Sequence, residues 1–171
     1  VEPVTLRLGG GCSIRLSYRG VCSFRADALY QTCSVARSWF NAQVNIRQIF
    51  QGTKTIAVVG LSQNPSKASH EVARYLMTHF KVIPVNPRYH EVLGLPCYPN
   101  LASIPEEVDM VDLFQRSENV LRFVQPSIDI GIQCFWMQLG IENALARSQL
   151  EAAGIKVVEN LCTKVEHARS G

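Results

Sequence analysis

The sequence predicts an α/β fold, a doubly wound and mostly parallel five-stranded sheet with a basic N-terminal extension. Between residues 55 and 159, short apolar runs alternate with helical patterns. The first run stops at Gly60, and a short polar loop then leads directly into a helical pattern. Strands that alternate with helices form parallel sheets, and their right-handed crossovers place helices on both faces of the sheet.

The predicted strands are short apolar runs bounded by polar, glycine or proline residues. They cover residues 55–60, 81–86, 109–114, 132–137 and 155–159. The third run contains two acidic residues, Asp109 and Asp112. We expect Asp112 to be hydrogen-bonded at the edge of the sheet rather than to act as a base.

The predicted helices fill the intervals before and between these strands. They cover residues 38–51, 69–79, 117–126 and 141–153, with a short helix over 100–106 that follows an irregular stretch, 87–100. Gly52 and Gly154 are expected to stop the first and last of the longer helices. Ser117 is a predicted N-cap, with Glu118 in the first turn of its helix.

The turn after the first strand carries the strongest functional signal. Backbone N–H groups at the start of a helix lack partners within the helix, and the helix dipole favours an anion there. The loop between Gly60 and this helix contains Ser62, whose hydroxyl can donate to a phosphate, and Lys67, which adds a positive charge. A solvated loop lysine explains Lys67 equally well. A ligand that carries phosphate is therefore the first hypothesis.

Composition and charge limit the other possibilities. The chain has 171 residues, of which 47% are hydrophobic and 18% charged, as expected for one globular domain. No apolar run approaches the roughly 20 residues of a membrane-spanning helix. The six cysteines show no CxxC or zinc-finger spacing, which indicates free thiols in a reduced compartment. We predict no metal site and, because the four histidines are scattered along the chain in no catalytic pattern, no catalytic centre.

Residues 1–43 differ in character from the rest of the chain. Six arginines but only two acidic residues occur within residues 1–50. An arginine- and serine-rich segment that is poor in acids is typical of organellar transit sequences. We predict that residues 1–43 are either a retained leader or a segment that packs on a protein partner, with a mitochondrial location and a cytoplasmic one as the alternative. Contact with nucleic acid is expected only indirectly or through these arginines.

Two common nucleotide-binding motifs are absent. Leu61 and Ser62 follow Gly60 where a dinucleotide-binding GxGxxG motif needs a second glycine two residues on. The second predicted strand ends in Asn86 rather than in the acidic residue that binds a ribose hydroxyl. The chain also lacks GxxxxGK[ST], so neither NAD binding nor a P-loop ATPase is favoured.

Five blocks of sequence, in order, carry a resemblance to a known family. They are residues 56–67, Asn86-Pro87, and residues 108–114, 136–141 and 157–162. Residues 44–171 resemble the small CoA-binding domain proteins, which are stand-alone relatives of the Rossmann-like CoA-binding domain in the α subunit of succinyl-CoA ligase. We therefore divide the chain into an extension, 1–43, and a CoA-binding domain, 44–171.

The resemblance implies a set of cofactor-binding residues along a cleft at the carboxyl ends of the strands. The implied contacts are Gly60, Leu61, Ser62 and Lys67 with the CoA phosphates, Asn86 and Pro87 near the adenosine, Phe114 and Arg116 beside the pantetheine, Trp136, Met137 and Gln138 lining the cleft, and Asn160 and Cys162 closing it. The chain departs from the family at 161–163, where Leu-Cys-Thr replaces the common Arg-Cys-Pro. That change removes an arginine from the expected ligand site.

Three functions are consistent with these features. The first is a module that binds CoA, an acyl-CoA or a related nucleotide and has no catalytic centre of its own. The second is a structural accessory subunit of a large mitochondrial assembly that reuses the fold, with or without ligand; the basic extension and the altered 161–163 corner motivate it. The third is an enzyme, either one that handles acyl-CoA or an oxidoreductase in which Cys162 forms a mixed disulfide with CoA. Catalysis of the ligase type is not expected, because the phosphohistidine region of the ligase has no counterpart here.

Overall fold

The computed structural model describes residues 5–8, 12–15 and 45–170. Its strands are β1 (Thr5–Leu8), β2 (Cys12–Arg15), β3 (Thr55–Val59), β4 (Lys81–Val85), β5 (Glu91–Val92), β6 (Leu95–Pro96), β7 (Met110–Leu113), β8 (Cys134–Met137) and β9 (Lys156–Val158). Its α-helices are α1 (Ile46–Gly52), α2 (Ala68–Leu76), α3 (Leu121–Asp129), α4 (Ala144–Ala152) and α5 (Thr163–Ser170). Two 3-10 turns, Leu101–Ser103 and Ser117–Asn119, precede β7 and α3.

Five parallel strands form the central sheet in the order β4-β3-β7-β8-β9. The chain first moves outward from β3 to β4 and then crosses to β7 on the other side of β3. The strand order therefore reverses between β3 and β7, and this is the position where open α/β sheets form a ligand crevice. The predicted doubly wound α/β fold is confirmed.

Alternate residues of the strands face two separate apolar layers, as the two-residue period of a strand requires. One layer packs β3 residues such as Ala57 and Val59 against α3 and α4. The other packs Ile56 and Val58 against α1 and α2, and it includes Trp136 of β8. All four β3 residues from Ile56 to Val59 are buried, which explains why the first predicted strand is a continuous apolar run.

The predicted elements differ from the structure mainly at their ends. Helix α1 begins after Asn45, whose side chain accepts a hydrogen bond from the N–H of Gln48; the earlier part of the predicted helix, 38–44, lies outside the described residues. Ser117 does not cap an α-helix, because it opens a 3-10 turn and α3 starts only at Leu121. Helix α5 was not predicted, since its apolar residues show little periodicity.

The described part of the N-terminal segment is a two-stranded antiparallel sheet. In it β1 pairs with β2, with Thr5 opposite Arg15 and Leu8 opposite Cys12. The other residues of the predicted extension (residues 1–43) lie outside the described residues. The boundary of the extension therefore stays a prediction, and so do its roles in partner binding and targeting. Across the described ranges, no helix combines the length and the apolar character needed to cross a membrane.

Candidate functional site

A cleft of about 1140 Å³ opens above the point where the strand order reverses. Its walls come from the loop between β3 and α2, the residues after β4, the segment that precedes β7, helix α3 and the loop after β8. Because these segments all follow or flank the carboxyl ends of parallel strands, the fold brings them together although they are distant in sequence.

The floor of the cleft depends on Gly60. Its backbone has φ +86°, a left-handed conformation, and its N–H donates to the carbonyl of Val85 (2.9 Å). A Cβ atom at this position would lie 2.4 Å from the carbonyl oxygen of Phe114. Only glycine fits, since any side chain would separate the β3 turn from the end of β7.

The loop after Gly60 is held by its own polar side chains. Ser62 N–H donates to Ser69 Oγ (3.2 Å), and Ser62 Oγ accepts from the N–H of Asn64 (3.1 Å). The Asn86 side-chain amide donates to the carbonyl of Leu61 (2.8 Å), which joins the loop to the end of β4. Ser62 lines the cleft, and its hydroxyl hydrogen has no acceptor among the described residues.

Helix α2 starts at the cleft wall. The N–H groups of Ala68 and Ser69, its first two residues, have no hydrogen-bond acceptor within the described residues, and both residues line the cleft. His70 faces away from the cleft, because its Nδ1 donates to the carbonyl of Ser62 (2.9 Å). The first turn of α2 therefore presents unbonded backbone donors at the cleft wall, and that they bind an anion stays a prediction.

Of the described residues that line the cleft, four are basic and none is acidic. These basic residues are Lys67, Arg88, Arg116 and Arg122. All four are exposed, and within the described residues none of them forms an ion pair. We call the part of the cleft that they border the basic end.

Sequence reasoning identified Lys67 and Arg116 but missed Arg88 and Arg122. Arg88 follows the Asn86-Pro87 pair directly, and its N–H donates to Asn86 Oδ1 (3.0 Å) in a tight turn. The position of Arg88 directly after Asn86-Pro87 is the sequence signal from which it could have been predicted. Arg122 is located on α3, and no motif in the sequence distinguishes it from an ordinary helix-surface arginine.

The other end of the cleft carries no formal charge among its described lining residues. It is formed by Gln138, Leu139, Ile141 and Cys162, from the loops that follow β8 and β9. Leu139 is 72% exposed, so a large apolar side chain faces solvent at the cleft mouth. We call this part the neutral end.

A buried hydrogen-bond triangle lies beneath the neutral end. Gln138 Nε2 donates to Asp112 Oδ1 (2.7 Å) and to Thr163 Oγ1, and the Thr163 hydroxyl donates to Asp112 Oδ2 (3.0 Å). Since the amide nitrogen makes both contacts, the amide oxygen of Gln138 is the atom left to accept a hydrogen bond from a ligand. The triangle thus fixes the orientation of a cleft-lining side chain.

Asp112 itself is fully buried on β7, the central strand of the sheet. The expectation that it lies at the sheet's edge is wrong, although it is hydrogen-bonded as expected. Burial raises the pKa of its carboxyl to about 7, and the hydrogen bonds from Gln138 and Thr163 only partly oppose this shift. Asp112 is therefore a more weakly acidic carboxyl than usual, buried beneath the cleft.

The structure places nine of the thirteen predicted site residues on the cleft wall. These are Gly60, Ser62, Lys67, Asn86, Pro87, Phe114, Arg116, Gln138 and Cys162. Whether each of them contacts CoA stays a prediction.

The other four predicted residues are Leu61, Trp136, Met137 and Asn160, none of which lines the cleft. Trp136 and Met137 were expected to line it, but both are fully buried in the sheet layers. Trp136 packs on Phe50, with ring centroids 5.4 Å apart, and its Nε1 donates to the carbonyl of Leu161 (2.7 Å). Residues of a central strand are covered on both faces, so these side chains support the cleft from below.

Asn160 shapes the loop next to the cleft. It has φ +55°, and its Oδ1 accepts from the N–H of Gly140 (2.7 Å) while its own N–H donates to the carbonyl of Ile141 (3.1 Å). These bonds join the loop after β9 to the loop after β8. Asparagine tolerates the left-handed conformation better than most residues, which accounts for its presence here.

Titratable side chains elsewhere in the described residues form no metal site. No group of three or more His, Cys, Asp or Glu side chains with metal-binding geometry occurs there. Cys97, Cys134 and Cys162 are free thiols, as expected for these three. His79 and His167 pack with their ring centroids 4.6 Å apart, in an aromatic group on the α1, α2 and α5 side.

Comparison with known proteins agrees with this geometry. Residues 54–168 match a family model described as a CoA binding domain. The uncharacterized protein YneT of Bacillus subtilis is 36% identical over 128 residues, which cover 74% of this chain and 95% of that protein. ADP-forming acetate–CoA ligase I of Archaeoglobus fulgidus is 32% identical over 120 residues, which cover 64% of this chain but only 18% of the ligase.

Solved structures give the same relationship. A hypothetical protein from Pyrococcus horikoshii has a TM-score of 0.71 and 38% identity, and the match covers 72% of this chain and 88% of that one. The dinucleotide-forming acetyl-coenzyme A synthetase 1 of Korarchaeum cryptofilum, in complex with phosphate and ADP, has a TM-score of 0.59 and 26% identity; the match covers 68% of this chain and 27% of the synthetase. The sheet order, the glycine turn above β3 and these similarities together show that the chain belongs to the CoA-binding domain family.

Proposed function

We propose that this protein binds CoA or an acyl-CoA in the cleft and performs no chemistry on it. The observation that carries the proposal is the charge distribution: among the described residues that line the cleft, four are basic and form no ion pair, and none is acidic. Uncompensated cations on a concave surface favour an anionic ligand. CoA matches this requirement, because a pyrophosphate and a ribose phosphate make one part of the molecule strongly anionic.

The shape of the cleft supports the same ligand. Its volume of about 1140 Å³ exceeds the roughly 300–1,000 Å³ typical of sites for drug-sized ligands. The basic end fits the nucleotide, and the neutral end fits the pantetheine arm with its amide groups and thiol. Ala68 and Ser69 line the cleft next to Lys67, and their backbone N–H groups suit the pyrophosphate.

The described part of the cleft wall lacks the carboxylate and imidazole groups that most often serve in acid–base catalysis, and this supports a binding role. Among the described residues that line the cleft, none is Asp, Glu or His. A general acid or base must reach the reacting atom through a hydrogen bond. Asp112 is separated from the cleft by Gln138, so its carboxylate does not meet that condition.

Calorimetric titration of the full chain with CoA, acetyl-CoA and ADP tests the binding. We expect heat of binding with all three, and tighter binding of CoA and acetyl-CoA because ADP lacks the pantetheine arm. The double variant Lys67→Gln/Arg88→Gln should weaken CoA binding about tenfold or more, since it removes two charge-assisted contacts. The matched control Arg47→Gln/Arg74→Gln removes two exposed arginines outside the cleft and should bind as the unmodified protein does.

Two results would contradict the proposal. One is the absence of binding heat with every one of the three ligands at millimolar concentration. The other is steady release of free thiol from acetyl-CoA at a rate that rises with protein concentration, which would show that the protein is an enzyme. We expect no such release.

A further inference from the structure

The segment before β7 connects two walls of the basic end. The N–H of Asn86 donates to the carbonyl of Tyr98 (2.9 Å), and the N–H of Tyr98 donates to the carbonyl of Pro84 (3.0 Å), so this segment runs beside the end of β4. The 3-10 turn that follows, Leu101–Ser103, packs against α3. Arg88 after β4 and Arg122 on α3 therefore border the same end of the cleft from opposite sides.

The segments that carry or adjoin these two arginines present apolar side chains to the cleft, together with Asn100 and Asn119. Leu101 and Pro99 line the cleft from the segment before β7, and Phe123 and Pro126 line it from α3. An aromatic ring and proline rings are surfaces on which a nucleobase can stack. This part of the basic end thus combines a site for a base with two guanidinium groups, while Lys67 and the start of α2 lie nearer the centre.

Arg122 stands in an unfavourable place for a residue with only a structural role. It is the second residue of α3, where the helix dipole disfavours a positive charge. It is exposed, and it has no carboxylate partner within the described residues. A bound anion would supply the missing partner.

We infer that Arg122 binds the phosphate on the ribose of CoA and makes the cleft selective for CoA over nucleotides that lack this group. The inference rests on the proposed function, and it adds a specificity-determining residue and the direction in which CoA lies in the cleft. Arg122 can hold a phosphate through two parallel N–H···O bonds, a geometry that lysine cannot provide.

The test compares CoA with 3′-dephospho-CoA, which differs only by the ribose phosphate. In the full chain, Arg122→Gln should weaken CoA binding about ten- to a hundredfold, as expected for the loss of a charge-assisted contact, and should change 3′-dephospho-CoA binding less than twofold. The control Arg74→Gln removes an exposed arginine of α2 outside the cleft and should change neither affinity. Unchanged thermal melting of both variants would show that they fold.

Each other outcome overturns the inference in a recognisable way. If Arg122→Gln weakens both ligands equally, or weakens neither, Arg122 does not bind the ribose phosphate, although CoA binding itself stands. If the unmodified protein binds CoA and 3′-dephospho-CoA equally well, the cleft has no site for that phosphate. If the unmodified protein binds neither, the inference and the proposed function fail together.

Discussion

The two ends of the cleft are built in different ways. The basic end uses exposed side chains such as Lys67 and Arg122, placed on loops and helix starts around one tight glycine turn. The neutral end uses Gln138, a buried side chain held by a hydrogen-bond triangle within the sheet. The comparison shows that exposed basic side chains can be placed around a cleft without changing the buried core. A neutral side chain such as Gln138 needs buried hydrogen-bond partners to fix its orientation.

The largest effect should come from the turn that brings the basic end together. In Gly60→Ala the new Cβ atom would meet the Phe114 carbonyl at 2.4 Å, and the residue would keep φ +86°. Left-handed strain of about 1–2 kcal/mol and overpacking of about 1–3 kcal/mol should together lower the free energy of unfolding by about 2–5 kcal/mol. Urea denaturation measures this change.

Gly94→Ala is the matched control for that variant. Gly94 also has a positive φ, +75°, but no atom lies within 4 Å of the added Cβ. Only the strain should then appear, about 1–2 kcal/mol. An equal loss of unfolding free energy in the two variants would mean that the close approach of Gly60 to Phe114 is not needed. The tight glycine turn would then not explain how the basic end is built.

The triangle beneath the neutral end predicts a second, smaller effect that depends on pH. The pKa of Asp112 in the folded protein is raised to about 7, above its ordinary value of 3.8. The folded protein therefore takes up this proton at a higher pH than the unfolded chain does, so stability from this group rises as the pH falls from about 7 towards 4. The change amounts to a few kcal/mol at most.

Asp112→Asn isolates this contribution because asparagine does not titrate. Urea denaturation at pH 5 and pH 8 measures the free energy of unfolding of both proteins. We expect the contribution from Asp112 to make the unmodified protein more stable at pH 5 than at pH 8. The variant should lack this contribution. His167 acts in the opposite direction in both proteins, since burial and His79 lower its pKa and the charged form disfavours folding. The same pH dependence in both proteins would show that Asp112 is ionised throughout this range.

A third prediction concerns the loop next to the neutral end. Asn160→Ala removes the acceptor for Gly140 N–H and leaves alanine at φ +55°, which should lower the free energy of unfolding by about 1–3 kcal/mol. Asn160→Asp keeps an oxygen in the same place and should retain most of the stability. Thermal melting compares the variants; a loss in Asn160→Asp as large as in Asn160→Ala would contradict this account.

The sequence predicted the glycine turn at the basic end better than the hydrogen-bond triangle beneath the neutral end, for physical reasons. The turn at Gly60 and the position of Lys67 follow from local patterns, because a strand, a glycine and a helix start are adjacent in the chain. Gln138 was predicted to line the cleft, but its bonds to Asp112 and Thr163 join residues 25 or more positions apart. No periodicity encodes such a triangle.

The two corrections within the sheet have a similar cause. Asp112 was expected at an edge, and Trp136 in the cleft wall, yet both are buried in neighbouring strands at the middle of the sheet. Which strand lies at the centre depends on the order of strands, and the alternation of apolar runs does not reveal that order. Arg122 was missed for the related reason that its helix meets the cleft only after the chain has folded.

The smallest expected effect distinguishes the ends most directly. Leu139 is 72% exposed at the neutral end, and a pantetheine arm lying there would cover part of its side chain. Leu139→Ser should therefore weaken CoA binding about fivefold, which corresponds to about 1 kcal/mol of lost apolar burial, and should leave ADP binding unchanged. The control Leu145→Ser removes a leucine that is 56% exposed on α4 outside the cleft and should change neither ligand. Calorimetry measures all four affinities.

Because ADP carries no pantetheine, an equal loss of affinity for ADP and CoA would place the nucleotide rather than the pantetheine against Leu139. That result would reverse the direction proposed for CoA in the cleft.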